Sequence, residues 1–317
     1  MSDAKNPRSG RVEQPDAFVQ ASGGKPRDFA DECIRGFSGV RKAYPSKKPY
    51  LTRAKASAIA SSLNGRQRSL LEDVARLGVV SAGQLQRLRY EPSESGRRLA
   101  RIDLAKLCDR EVLFRLDRTV GGVRAGSKGH CFTLGLTGLR ILHPHQPRYR
   151  QPWTTHPAHL NHALARSELF VGLKTRIGDR LVTFDSEPTC WRRYFGPGGA
   201  PAILKPDAFT VLDLGRFEDR FWWEIDNSTE SGPWIVEKAR AYIRYWQSGR
   251  EIEASGVFPR VLWVAPTEVR RDFMTAALCR LPAEHWQLFA VVTAAEAAEQ
   301  MAKGTVQSIS NREEERS

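Results

Sequence analysis

The stretch that decides the fold runs from residue 205 to residue 242. It holds Lys205-Pro206-Asp207, then Phe221-Trp222-Trp223-Glu224-Ile225-Asp226, then Ile235-Val236-Glu237-Lys238-Ala239-Arg240-Ala241-Tyr242. A Pro-Asp pair opens one apolar run, two carboxylates alternate in a second, and a lysine follows in a helical pattern. Side chains two apart on a strand share a face, so Glu224 and Asp226 project together while Phe221, Trp223 and Ile225 fill the opposite face. A hairpin folded about residue 217 sets Asp226 opposite residue 208 and brings Asp207 to the same end of the sheet.

Converging carboxylates repel one another unless a cation lies between them. An oxygen-only set suits magnesium or manganese, which keeps several waters and binds a substrate phosphate. Asp207, Glu224, Asp226 and Lys238 are therefore the candidate catalytic residues of a phosphodiesterase site. Asp207 and Glu224 are the candidate metal ligands, with Glu168 on the preceding helix as an outer one. The plain alternative stays open: acids often end strands, Asp226 with Ser228 can cap the next helix, and Lys238 can pair with Glu237 or a nearby acid.

Working outward, residues 159–175 read as a helix and 181–184 as the start of a strand. Residues 208–214 and 221–226 read as two more strands joined by a polar turn. A helix at 234–246, a strand at 260–264, a helix at 267–278 and a strand at 286–292 follow. The order αβββαβ, then αβ, gives a mixed three-layer α/β fold.

Upstream, Leu70, Leu71, Val74 and Leu77 fall at helical spacing, and Gly78 stops that helix. Ser81 and Gln84, three apart, form a capping box for a short second helix. A third helix, from about 93 to 108, buries Ala100, Leu104 and Leu107 and turns Arg97, Arg98 and Arg101 outward. Two strands, at 112–116 and 130–134, flank a glycine-rich loop carrying Arg118, Arg124 and Lys128. Three helices and a ribbon with a basic tip make a winged helix-turn-helix, with these six residues as candidate DNA contacts. The same module used only for protein contacts is the competing reading.

Charge supports the first. Residues 1–150 hold 29 Lys+Arg against 14 Asp+Glu, whereas residues 151–317 hold 20 against 22. A basic front half supplies affinity for a polyanion. The 5 cysteines include no Cys-x-x-Cys pair, so neither a zinc ribbon nor a disulfide framework is expected, and a reducing cytoplasm fits. No apolar run approaches membrane-spanning length. Residues 121–128 lack the Gly-Lys-Ser/Thr order of a phosphate loop. His156, His159 and His162 recur every third residue, but Pro157 places a helix start among them, which disfavours a metal site.

This order of parts resembles the PD-(D/E)XK nuclease superfamily, restriction-endonuclease-like in fold. Pro206-Asp207 matches its first motif and Glu224 the acid of its second. The lysine usual two residues after that acid is Asp226 here, and the resemblance implies Lys238 as a migrated substitute. Taken whole, residues 64–293 resemble actinobacterial replication-relaxation proteins of plasmids and mobile elements. The matching parts are His162 with Glu168, Pro206-Asp207, Glu224-Ile225-Asp226, and Lys238 with Tyr242.

The resulting expectation has five segments. Residues 1–50 form a disordered basic tail, 51–145 a winged helix-turn-helix, 146–156 a linker, 157–302 a PD-(D/E)XK nuclease-like domain, and 303–317 a charged tail. The function implied is DNA binding in replication or relaxation of a mobile element, with magnesium- or manganese-dependent cleavage by the second domain. The alternative is a non-catalytic winged-helix regulator whose second domain is a platform for partners or for dimerisation. Double-stranded DNA is the expected partner, with replication or mobilisation proteins and a second copy of the chain as further ones, and no membrane.

Overall fold

The computed structural model describes residues 51–116, 130–146 and 157–303. The expected tails, the linker from 147 onward and the wing tip with Arg118, Arg124 and Lys128 lie outside these residues. Among the described residues no helix is long and apolar enough to cross a membrane.

Helix α1 (Arg53–Ser62) leads into α2 (Gly65–Leu77), whose start is fixed by a reciprocal box between Asn64 and Gln67. Gly78, at φ 77°, ends α2, where a β-carbon would be strained. Strand β1 (Val80–Ser81) then meets α3 (Ala82–Arg89), which is opened by the expected Ser81–Gln84 box with both hydrogen bonds made. Helix α4 (Glu94–Asp109) is followed by β2 (Leu113–Leu116) and β3 (Cys131–Leu134). These strands form an antiparallel sheet in the order β1-β3-β2. Helices α2 to α4 pack on this small sheet, with a core built from Leu70, Val74, Leu77, Leu85, Leu104, Leu107 and Phe132.

Two acids inside this half are fully paired, as burial demands. Asp103, 2% exposed, accepts from Gln67, Arg66 and Tyr90, and Asp73 takes a bidentate pair from Arg89. Helix α5 (Leu136–Leu142) closes against β2 because Gly135 and Gly138 have no side chain. A β-carbon there would sit 2.0 Å from the Glu111 carbonyl oxygen and 2.2 Å from that of Val112.

The second half opens with α6 (Pro157–Ile177) and β4 (Leu181–Ser186). A hairpin of β5 (Arg192–Phe195) and β6 (Pro201–Leu204) follows, which the sequence reading missed. Next come β7 (Ala208–Asp213), β8 (Glu218–Ile225), α7 (Gly232–Gln247), α8 (Arg250–Ser255) and β9 (Arg260–Ala265). Helix α9 (Glu268–Leu278), β10 (Phe289–Thr293) and α10 (Ala294–Lys303) complete it. Residues 283–288, expected in part to begin a strand, form a 3₁₀ turn.

The main sheet runs β10-β9-β8-β7-β4. It is antiparallel from β4 through β8 and parallel from β8 to β10, with helices crossing over as parallel neighbours require. The alternation along β8 is as expected. Phe221, Trp223 and Ile225 pack with α6 and α10, whereas Trp222 packs with α7 and α9 on the other face. The mixed three-layer α/β architecture follows from burying both faces.

Pairing between β7 and β8 differs from the expected register. Ala208 lies opposite Trp223, not Asp226, because the tight connection closes nearer residue 215, where the Asp213 carboxylate caps the Gly215 N–H. Asp207 therefore falls beside Glu224, and Asp226 extends past it.

The two halves share one hydrophobic core that includes Leu70, Leu85, Leu169 and Trp223. Buried polar contacts fix the seam. Ser167 donates to the Val79 carbonyl at 2.6 Å, Ser186 to that of Arg76 at 2.5 Å, and Gln84 to that of Leu164 at 2.9 Å.

Candidate acid–lysine site

The carboxyl end of β8 is where the sheet changes from antiparallel to parallel, a place where open α/β sheets leave a crevice for ligands. Here β8 supplies Glu224 and, just past its end, Asp226. The approach to β7 supplies Asp207, α6 supplies His162, α7 supplies Lys238 and Tyr242, and α9 supplies Arg270. Pro206 ends the β6 connection without an N–H to satisfy, and Asp207 then joins the sheet through its N–H to the Trp223 carbonyl.

Asp207 has a donor on each oxygen. Its Oδ2 accepts the Ile225 N–H at 2.7 Å, and its Oδ1 lies 3.1 Å from His162 Nε2. Burial pushes this carboxyl up, but Lys238, His162 and the Ile225 N–H outweigh it and hold the group at about 2. Asp207 in turn raises His162 above the usual imidazole range, against burial.

Glu224 is 1% exposed. Its Oε1 accepts from the Tyr242 hydroxyl at 2.5 Å, and its Oε2 is in direct contact with the Lys238 ammonium. Burial raises Glu224 to about 8, with Lys238 opposing and Asp207 adding to the rise. Lys238 is itself raised, since Glu224, Asp207 and Glu230 together overcome its burial. Glu230 joins the same field and is lifted to about 7 by burial, Lys238 opposing.

Asp226 shares the face of Glu224 but answers to a different cation. Arg270 grips it bidentately at 2.7 and 2.8 Å and donates to the Glu230 carbonyl at 2.6 Å. The Ser228 N–H also reaches Asp226 Oδ2 at 2.8 Å, holding Ser228 at φ 64°. This is a local turn short of α7 and not the helix cap that the sequence left open, because the N-cap of α7 is Ser231, with no side-chain cap hydrogen bond.

Glu168 is held elsewhere. Its carboxylate accepts from Arg87 at 2.5 Å and Gln84 at 3.1 Å, across the seam to α3. It belongs to the docking of the two halves, not to the acid cluster. His162 is the α6 residue that meets Asp207. Arg270 and Glu230 had no sequence signal, because both act through tertiary contacts.

Magnesium or manganese would need open carboxylate oxygens here. Both oxygens of Asp207 and Oε1 of Glu224 already face protein donors, and Glu224 Oε2 is in ion contact with the Lys238 ammonium. Among the described residues no three His, Cys, Asp or Glu side chains are grouped to hold a metal ion. In this arrangement the residues do not fit the metal.

On α4, Arg97, Arg98 and Arg101 are all exposed. Glu94 reaches Arg97 at 2.9 Å and Arg101 at 3.2 Å, both surface pairs worth ~1 kcal/mol or less. They leave the guanidinium groups free to move to a stronger anion.

Comparison with curated proteins finds no match. Among solved structures, the chain is similar to the restriction endonuclease FokI bound to DNA, at 15% identity and a TM-score of 0.28, covering 76% of this chain and 45% of that one. A second structure of FokI gives 11% identity and a TM-score of 0.27, covering 78% and 46%. The chain thus spans less than half the length of those enzymes. The family model described as replication-relaxation matches residues 71–261, more than half of the chain. That span runs from within α2 to the second residue of β9 and takes in both halves, with His162, Asp207, Glu224, Lys238 and Tyr242 all inside it. The chain belongs to the replication-relaxation family.

Proposed function

We propose that this chain is a DNA-binding protein acting in replication-related DNA processing on a plasmid or other mobile element. It reads duplex DNA through α4, and the α/β half serves without hydrolysing the strand. The observation that carries this reading is the exposed arc of Arg97, Arg98 and Arg101 on the third helix of a winged helix, the element that enters the major groove in such modules. The +13 formal charge concentrates on the same half. The sequence holds no Cys-x-x-Cys pair, which suits a reducing cytoplasm.

Gel shift with duplex DNA across a salt series tests this. Arg97→Ala with Arg101→Ala should weaken binding and lower the slope of log affinity against log salt by about 2, one step of roughly 0.9 per lost phosphate contact. An unchanged slope and affinity would refute it.

The second reading, metal-dependent strand cleavage, is favoured by one observation: Asp207, Glu224 and Lys238 meet at the carboxyl end of β8. For that reading Lys238 must leave Glu224 when a metal enters. Supercoiled plasmid incubated with magnesium or manganese would then be nicked by the wild type and left intact by Asp207→Ala and Glu224→Ala.

A further inference from the structure

Two aromatic rings lie exposed beside the acid cluster, outside both cores. Trp234 sits on α7 one turn before Lys238, and Phe273 sits on α9 one turn after Arg270. They are 43% and 44% exposed, whereas Trp222, Trp223 and Trp263 are at 0%. Trp222, the indole on the carboxylate face of β8, is thus unavailable to a ligand.

The exposed rings belong to helices that pack against each other. Gly232, at the start of α7, is buried beside α9, and an added β-carbon there would be in ordinary contact with the Phe273 ring and with Arg280 Nη1, each at 3.7 Å. Each ring also backs onto a cation. Lys238 Nζ stands 4.8 Å from the Trp234 centroid, and Arg270 Cζ 4.7 Å from that of Phe273. These are the cations that hold Glu224 and Asp226. Val269, 83% exposed on α9, extends the apolar surface.

Single exposed apolar residues are ordinary on a protein surface. Two aromatics on neighbouring helices, each set over its own cation and rimmed by Arg280, make a different surface. Flat rings take the face of a base, and cations take the phosphate between bases. A paired base hides its faces in the duplex stack, so the fitting occupant is unpaired. Lys238, Arg270 and His162 offset the acids, which lets a polyanion approach this end of the sheet.

We propose that Trp234 and Phe273 form a stacking platform for unpaired nucleotides, so that the protein holds single-stranded DNA at the end of β8 while α4 reads duplex. The proposal rests on the chain being a DNA-binding protein, and it adds a second, structurally separate nucleic-acid site.

Fluorescence anisotropy of the full chain with fluorescein-labelled oligothymidylate, beside a duplex of equal length, is the test. Trp234→Ala and Phe273→Ala should each weaken single-strand binding about tenfold, within the range for losing one base–aromatic stack, and leave duplex binding unchanged. Trp234→Phe should keep most of the affinity. Trp234→Leu, which keeps apolar bulk but no π face, should lose it, so the pair separates stacking from packing even if an alanine variant melts early. Unchanged single-strand affinity in all the variants, equal retention by Trp234→Leu and Trp234→Phe, or wild-type binding of duplex alone would each overturn the platform. Failure to bind either DNA would instead overturn the reading of function.

Discussion

Arg270→Ala should strip Asp226 of its charge partner while leaving the carboxylate buried. Asp226 is 3% exposed and has the two Arg270 bonds at 2.7 and 2.8 Å, with only the Ser228 N–H remaining once they are lost. Removing one member of a buried ion pair costs about 3–5 kcal/mol. Arg270 keeps 14% of its side chain in solvent, so the low end, about 3 kcal/mol, applies. Its bond to the Glu230 carbonyl adds about 1 kcal/mol, for a total near 4 kcal/mol. Arg270→Lys restores a point charge but not the two-pronged geometry, and should recover roughly half. Urea unfolding followed by circular dichroism measures this. The double variant Arg270→Ala with Asp226→Ala should be less destabilised than the two single changes added together, with a coupling of about 2 kcal/mol or more. A loss below about 1 kcal/mol in Arg270→Ala would refute the view that this pair fixes the connection from β8 to α7.

Stability should also report the depressed carboxyl of Asp207. Its folded value of about 2 lies below the ordinary 3.8, so the stability it contributes is complete above pH 4 and is lost as pH falls from 4 to 2. The loss should be about 2 kcal/mol and should vanish in Asp207→Asn, as urea midpoints across that window will show. Gly138→Ala should drive a methyl to 2.2 Å from the Val112 carbonyl oxygen and destabilise the protein by about 3 kcal/mol or more, read as a fall in Tm. Gly65→Ala, with nothing within 4 Å, should have no such effect.

Much of the fold was legible where local chemistry decides it. The Ser81–Gln84 box, the stop at Gly78 and the alternation of Phe221, Trp223 and Ile225 each depend on residues close in sequence, and each appears as read. The β5–β6 hairpin was missed because Arg192-Arg193-Tyr194-Phe195 has no alternation and its turn is spread over Gly196, Pro197, Gly198 and Gly199. The β7–β8 register slipped because a single capping bond, Asp213 to the Gly215 N–H, decides where the turn closes.

The candidate site divides in the same way. That Glu224 and Asp226 share a face follows from strand period alone. Which cation each would meet does not, since Lys238 lies fourteen residues beyond Glu224 and Arg270 forty-four beyond Asp226. A shared face suggested one shared ion. Two separate side-chain cations neutralise the pair instead, and Glu168, grouped with the acids by its place on α6, turns toward α3 and Arg87.

Isothermal titration of magnesium and of manganese into the full chain tests the self-neutralised site most directly. With Lys238 paired to Glu224 and His162 to Asp207, no saturable heat is predicted that depends on either acid. A stoichiometric binding isotherm abolished by Asp207→Ala or Glu224→Ala would contradict it and would place a metal where the lysine now sits.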